Sequence, residues 1–137
     1  MVTLADSSAW IEYLRKTGSE VNVHLRELID AQRDLVTTEV VVMEVVAGAR
    51  TDKEREELRR LLRRFPLLPV GDLATYEQAA ELYRACRRKG ETVRKMTDCL
   101  IAAVAIREDA AVLHRDADFT VLARHTPLRV ADPANPS

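Results

Sequence analysis

Residues 95–107 read KMTDCLIAAVAIR, an apolar run with one acid at its head. Leu100, Ile101, Val104 and Ala105 recur at helical spacing, which predicts a buried helix. Asp98 stands immediately before the run. A carboxylate at the mouth of a buried helix loses its water, a large penalty unless something offsets it. The free N–H groups and dipole of the helix N-terminus offset part of it. A metal ion offsets more, and needs further carboxylates brought to the same place.

The rest of the chain supplies them. At 137 residues, 47% apolar and 31% charged, it is long enough for one domain with a sizeable core. The net charge of −1 by itself points to neither nucleic acid nor membrane. Its distribution is uneven: residues 50–64 hold seven basic and four acidic side chains, and residues 84–95 hold six and one. Such runs suit a solvated helix face or a phosphate-facing patch. Cys86 and Cys99 form no CxxC pair and fit reduced thiols. The opening apolar run is cut short by Asp6, unlike a signal peptide, and no run reaches the ~18 residues of a membrane helix. The expectation is a cytoplasmic domain.

Short apolar strands are expected at 2–5, 35–38, 67–70, 111–114 and 128–130. Between them come helices at 9–16, from Ser19 through Ile29, at 40–47, 51–65, 72–89, 95–107 and 116–124. The stretch 40–47, VVVMEVVA, is β-branched like a strand, but its length and the following Gly48 favour a helix. Pro66 and Pro69 place 67–70 at a sheet edge. Alternating strands and helices imply an α/β domain with a mainly parallel sheet over 1–131, followed by a flexible proline-rich tail at 132–137.

Four acids punctuate apolar stretches. Asp6 and Asp116 follow strands, at the carboxyl ends where open α/β sheets place ligands. Glu44 is the only charge between Val40 and Ala49, and Asp98 heads the buried helix. Singly, each has a plain structural role: a cap for Asp6, a rim position for Glu44, a dipole partner for Asp98, and a turn for Asp116, with Asp118 beside it as an equal candidate for the cap. Together they imply a cluster that protons or cations must join, and oxygen ligands select hard cations such as Mg²⁺ or Mn²⁺. His24, His114, His125 and the cysteines lack zinc spacing. A hard cation in an acidic pocket suits phosphoryl chemistry.

The segments LADSSAWIEYLR, EVVVMEVVAGAR, RKGETVRKMTDCLIAAVAI and LHRDADF, in this order over residues 2 to about 130, resemble the PIN-domain ribonucleases of the VapC toxin family. The resemblance implies a three-layer α/β/α fold with a five-stranded parallel sheet. It implies Mg²⁺- or Mn²⁺-dependent endonuclease action on RNA, usually a structured RNA such as tRNA. Carried over by motif, Asp6, Glu44, Asp98 and Asp116 form the acidic quartet, with Asp6, Asp98 and Asp116 as metal ligands. Ser8 and Thr97 match positions that hydrogen-bond within the site, and Asp118 matches the second acid of the closing motif. The expected reaction is in-line attack of a metal-activated water, leaving a 5′-phosphate and a 3′-hydroxyl. The resemblance further implies a cognate antitoxin and a homodimer or toxin–antitoxin hetero-oligomer.

Arg94, Lys95 and Arg115, near the acids, are the expected substrate-binding cations. Trp10, Tyr13 and Leu14 on the first helix offer a surface for antitoxin or dimer contacts, although Trp10 at such a position is more often core than interface. Two other readings use the same acids: a Mg²⁺-dependent phosphatase or receiver-like domain, and an RNA- or antitoxin-binding module without turnover. The first needs a DxD nucleophile motif or a late lysine after a strand. Asp6 is followed by Ser7 and Ser8, and the late strand ends in HRDAD. Metal-dependent cleavage separates the second from a nuclease.

Overall fold

The computed structural model describes residues 1–132. It runs β1 (Thr3–Ala5), α1 (Ser7–Leu14), α2 (Glu20–Ala31), β2 (Leu35–Val36), α3 (Glu39–Ala47), α4 (Asp52–Leu62), α5 (Leu73–Arg88), α6 (Met96–Arg107), β3 (Ala111–Leu113), α7 (Ala117–His125) and β4 (Arg129–Val130). Small polar side chains start most of the helices. Asp6, Ser19, Thr51, Asp72 and Asp116 each accept a hydrogen bond from a backbone N–H two or three residues on. The ambiguous valine-rich stretch is helix α3.

The strands pair in parallel in the order β2–β1–β3–β4. All three residues of β1 and of β3 are buried. Successive strand residues point to opposite faces, so both faces of the sheet are covered and the domain has three layers, α/β/α. From β1 the chain passes first to β2 on one side and later to β3 on the other. The crevice beyond the carboxyl ends of β1 and β3 is therefore the topological switch point.

Four strands pair where the sequence predicts five. The segment expected at 67–70 makes a single parallel bridge, Thr37 to Leu67. Thr37 N–H donates to Pro66 O at 3.0 Å, and Leu68 N–H donates to Thr37 O at 2.7 Å. The ladder goes no further because the chain after β2 turns into α3 at Glu39, and Val70 N–H donates to Glu39 Oε1 at 2.9 Å instead of to a strand carbonyl. Of the tail expected at 132–137, only Asp132 falls among the described residues.

Helix α6 runs through the core: residues 101–105 are all buried, and Ala102, Ala103 and Ala105 keep its surface low enough for close neighbours. Its most extensive helix partner is α5. Arg107 locks its far end, donating through Nη1 to Val70 O at 2.7 Å and Thr75 Oγ1 at 3.0 Å, and through Nη2 to Pro69 O. Cys86 and Cys99 are free and buried. Trp10 is core, not surface. It is 1% exposed and packs edge-on to Tyr13, with ring centroids 5.8 Å apart, and against Phe65 at 5.9 Å. No described helix is long and apolar enough to cross a membrane.

The buried indole Nε1 of Trp10 has no hydrogen-bond partner among the described residues. In denaturant unfolding, Trp10→Ala should therefore cost about 3–5 kcal/mol through the cavity it leaves. Trp10→Phe keeps most of the ring and discards only an unpaired N–H, and should cost less than half as much.

Candidate metal centre and active site

Three backbone turns meet at the switch point. Asp6 follows β1 directly, and its N–H donates to Leu113 O of β3 at 2.9 Å. Its Oδ2 caps α1, accepting from Ser8 N–H at 3.0 Å and from the Ser8 hydroxyl at 2.7 Å. The cap reading of Asp6 holds for Oδ2, while Oδ1 is buried with no hydrogen-bond partner among the described residues. The helix begins at Ser7 with Asp6 as its cap, two residues earlier than expected, because the carboxylate outcompetes the serines for that position.

Asp116 caps α7, accepting from Asp118 N–H at 2.9 Å, so Asp118 is not the cap. Asp98 lies in the first turn of α6, is 0% exposed, and has neither oxygen hydrogen-bonded among the described residues. One carboxylate oxygen from each of Asp6, Asp98 and Asp116 falls within 4.8 Å of the others. Three oxygens at that spacing, several with no donor, fit a hard cation. Buried acceptors are rarely left unpaired, since the missing bond costs about 1–3 kcal/mol each.

Glu44 stands outside this trio. It is partly buried on α3, and its Oε1 accepts from the Ser7 hydroxyl at 3.3 Å. Ser7 was not anticipated as a site residue. The only signal for it was its place between Asp6 and Ser8.

The supporting serine and aspartate act as stitches. The Ser8 hydroxyl donates to Asp6 and accepts from Arg115 N–H at 2.9 Å, joining the turn after β1 to the turn after β3. Asp118, 2% exposed, accepts from Arg94 N–H at Oδ1 and Lys95 N–H at Oδ2, both at 3.1 Å, joining α7 to the start of α6. Thr97, partly buried in that first turn, makes no side-chain hydrogen bond among the described residues.

The three expected substrate cations differ in placement. Arg94, 73% exposed, has Nη2 3.8 Å from Asp116 Oδ1 and Nε 3.6 Å from Asp118 Oδ1. Arg115 pairs with Glu12 at 2.9 Å, a partner the sequence did not reveal. Lys95 turns inward, its Nζ 2.7 Å from Asp116 Oδ2 and 3.6 Å from Asp98 Oδ2.

Charge and burial set the proton affinities. Burial, then the charge of Asp6, pushes the Asp98 carboxyl up to about 8. The same two causes raise Glu44. Burial works to raise Asp116 as well, but the hydrogen bond from Lys95 and the N–H of Asp118 prevail and hold it below the usual carboxylate range. The Asp116 hydrogen bond, in turn, raises Lys95 and keeps it charged. Burial lowers His114, whose Nδ1 accepts from Asp116 N–H and whose ring packs on Phe119.

The PIN domain family model matches residues 3–125. Among curated proteins, VapC ribonuclease Mb1587 of Mycobacterium bovis and ribonuclease VapC11 of Mycobacterium tuberculosis are each 47% identical to this chain over 129 residues, covering 93% of it and 96% of their own length. Among solved structures, FitAcB from Neisseria gonorrhoeae matches with a TM-score of 0.75 at 23% identity, over 98% of this chain and 99% of that one. VapBC-5 from Mycobacterium tuberculosis, described as a member of the VapBC family of toxin–antitoxin systems, matches with a TM-score of 0.61 at 23% identity, over 94% and 96%. These structural matches establish the fold, a PIN domain. The identity to the curated relatives goes further, and the chain belongs to the VapC family of PIN-domain proteins.

The raised Asp98 carboxyl gives a pH signature. Its folded-state value lies above the unfolded value of ~4, so its contribution to stability is full below ~4 and is lost as pH rises through about 8. Thermal melts in EDTA should fall between pH 6 and 9. Asp98→Asn should flatten that slope and melt higher at pH 8–9, by about 3–5 °C per kcal/mol regained. Mg²⁺ or Mn²⁺ should raise the melting temperature of the wild type and not of Asp98→Asn.

Proposed function

We propose that this protein is a Mg²⁺- or Mn²⁺-dependent endoribonuclease, the toxin of a type II toxin–antitoxin pair, acting on a structured RNA such as tRNA in the cytoplasm. One observation carries the reading: three acids from separate elements, two buried and one partly buried, converge on one point, and Asp98 arrives there with neither oxygen hydrogen-bonded among the described residues. The names of the curated relatives support ribonuclease activity.

In this reading Asp6, Asp98 and Asp116 hold the cation, and Glu44 completes the catalytic quartet. When bound, such a cation neutralises phosphate oxygens and lowers the pKa of a coordinated water. Ser8 fixes Asp6 Oδ2, so Oδ1 is left to face the cluster. Glu44, raised by burial and by Asp6, is the residue suited to exchanging a proton with water at the rim, its Oε1 steadied by Ser7. Arg94 and Arg115, both exposed beside the acids, are positioned to receive backbone phosphates on either side of the scissile bond. Hydrolysis leaves a 5′-phosphate and a 3′-hydroxyl.

The antitoxin reading rests on a groove of about 400 Å³ between α1, α3 and α4. Ile11, Leu14, Val45 and Leu58 are its apolar lining, and Glu44, Glu54, Arg15 and Arg50 its charged residues. Ile11 and Leu14 are 42% and 40% exposed, so the contact surface on α1 is theirs and not Trp10's. An antitoxin segment with apolar side chains along the groove and an arginine at Glu44 fits this shape and charge. One of the fold neighbours is itself described as a toxin–antitoxin system.

The deciding experiment incubates total cellular RNA with the antitoxin-free protein and Mg²⁺ or Mn²⁺. Discrete fragments should appear, vanish with EDTA, and fall by about 10³-fold or more in Asp98→Asn, as loss of several kcal/mol of metal-borne stabilisation requires. Intact RNA across the metal series, from a folded protein, would favour a binding module. Cleavage persisting in Asp98→Asn would remove Asp98 from the site.

A further inference from the structure

Lys95 was expected to point at substrate, but its ammonium lies among the acids. The side chain turns back over the first turn of its own helix to reach Asp116 Oδ2 at 2.7 Å and Asp98 Oδ2 at 3.6 Å. Its backbone has little freedom, because Asp118 takes the N–H groups of both Arg94 and Lys95. Half of the side chain remains in solvent (48% exposed), while its acceptors are 0% and 9% exposed. The lysine thus reaches the buried acids from outside, along the only part of itself that bends freely.

The oxygens it contacts belong to residues that converge on the metal position. An ammonium 2.7 Å from a carboxylate oxygen and a divalent cation on the same carboxylates repel strongly at such short range. Arg94 does not share this position. Its nearest approach to the trio is 3.8 Å, and its guanidinium is 73% exposed.

We infer that Lys95 is an exchangeable counter-ion: in the metal-free protein its ammonium pairs with Asp116 and lies against Asp98, and divalent-metal binding expels it to the mouth of the site, where it becomes available to an RNA phosphate. This inference rests on the metal-dependent reading above. It makes Lys95 a positioning residue that couples metal loading to substrate grip. The cost of expelling the ammonium weakens metal binding, and the released charge strengthens binding of a polyanion. By linkage, a polyanion that takes the lysine strengthens metal binding equally.

The test uses Mn²⁺ as the probe and reads the lysine directly. The wild-type protein is briefly acetylated with an amine-reactive ester, with and without saturating Mn²⁺, and modification is quantified by mass spectrometry, with exposed Lys89 as internal reference. Lys95 acetylation relative to Lys89 should rise at least about threefold with Mn²⁺, as expected of an amine freed from a charge-assisted hydrogen bond. In parallel, calorimetric titration with Mn²⁺ compares wild type, Lys95→Met and Arg94→Met. Lys95→Met should bind Mn²⁺ about 5- to 20-fold more tightly, and Arg94→Met no more than about twofold, the difference being the coupling carried by occupancy of the site rather than by charge alone.

Unchanged Lys95 reactivity on Mn²⁺ binding, or equal tightening in the two variants, would overturn the inference and leave the metal site standing. Absence of Mn²⁺ binding in every variant would overturn the metal reading, and this inference with it. The acetylation arm needs no variant, so misfolding of Lys95→Met does not blunt the test.

Discussion

Mutual repulsion among buried carboxylates is the constraint on which the upper edge of this sheet depends. Asp6 and Asp98 are both 0% exposed, and with Asp116 they crowd oxygens within 4.8 Å. Water cannot screen them, and a low-dielectric surrounding strengthens every charge–charge term. The fold answers with what it has. Asp98 sits in a first helical turn, where the dipole favours an anion, Asp6 and Asp116 take up backbone N–H groups, and Lys95 brings one full positive charge. These measures are enough to let the domain fold and too few to satisfy Asp98. The remaining imbalance is what the proposed cation would relieve.

The architecture makes this imbalance possible by separating where stability is made from where it is spent. Below the site, β1 and β3 are buried on both faces, and the alanine-rich length of α6 passes through the core. Arg107 ties the distant end of α6 to the chain entering α5 through three acceptors. With its lower end held this way, α6 presents Asp98 at its upper end as a fixed group. Ser8 and Asp118 then set the spacing between the three turns through backbone N–H groups, Ser8 also holding Asp6 Oδ2. A site held so keeps its geometry even though its own charges push it apart.

The acids were readable because they violate a rule. A lone charge at the edge of an apolar run is costly, so Asp98 before CLIAAVAI and Glu44 amid valines stood out from the sequence. Asp6 and Asp116 were readable from their place after strands. The strands and helices followed from apolar runs and capping residues, and the valine-rich α3 resolved as a helix because a strand precedes it so closely. The misses share a different cause. The fifth strand stops at one bridge because the chain after β2 turns into α3 at Glu39, whose side chain takes the Val70 N–H. Trp10 lies in the core, the commoner of its two readings, but the face of α1 that meets Phe65 depends on a contact 55 residues away. The inward turn of Lys95 depends on Asp118, 23 residues further along the chain. Spacing within one element is legible in sequence; side-chain direction fixed by a remote partner is not.

That distinction bears on how the site comes to exist. Its acids lie at positions 6, 98 and 116, and nothing brings them together until β1 has paired with β3 and α6 has docked. In the unfolded chain they are far apart, solvated and indifferent to one another. Folding therefore creates the repulsion and the proposed cation site in the same step. A ligand that binds only the folded arrangement returns its binding energy as stability. The same logic gives Lys95 a role before any metal arrives. It is only three residues from Asp98, so it needs no long-range closure to follow that acid into the core. A counter-ion carried on the same turn as the most deeply buried acid lets α6 dock without a free cation, and its half-exposed stem leaves it able to withdraw afterwards.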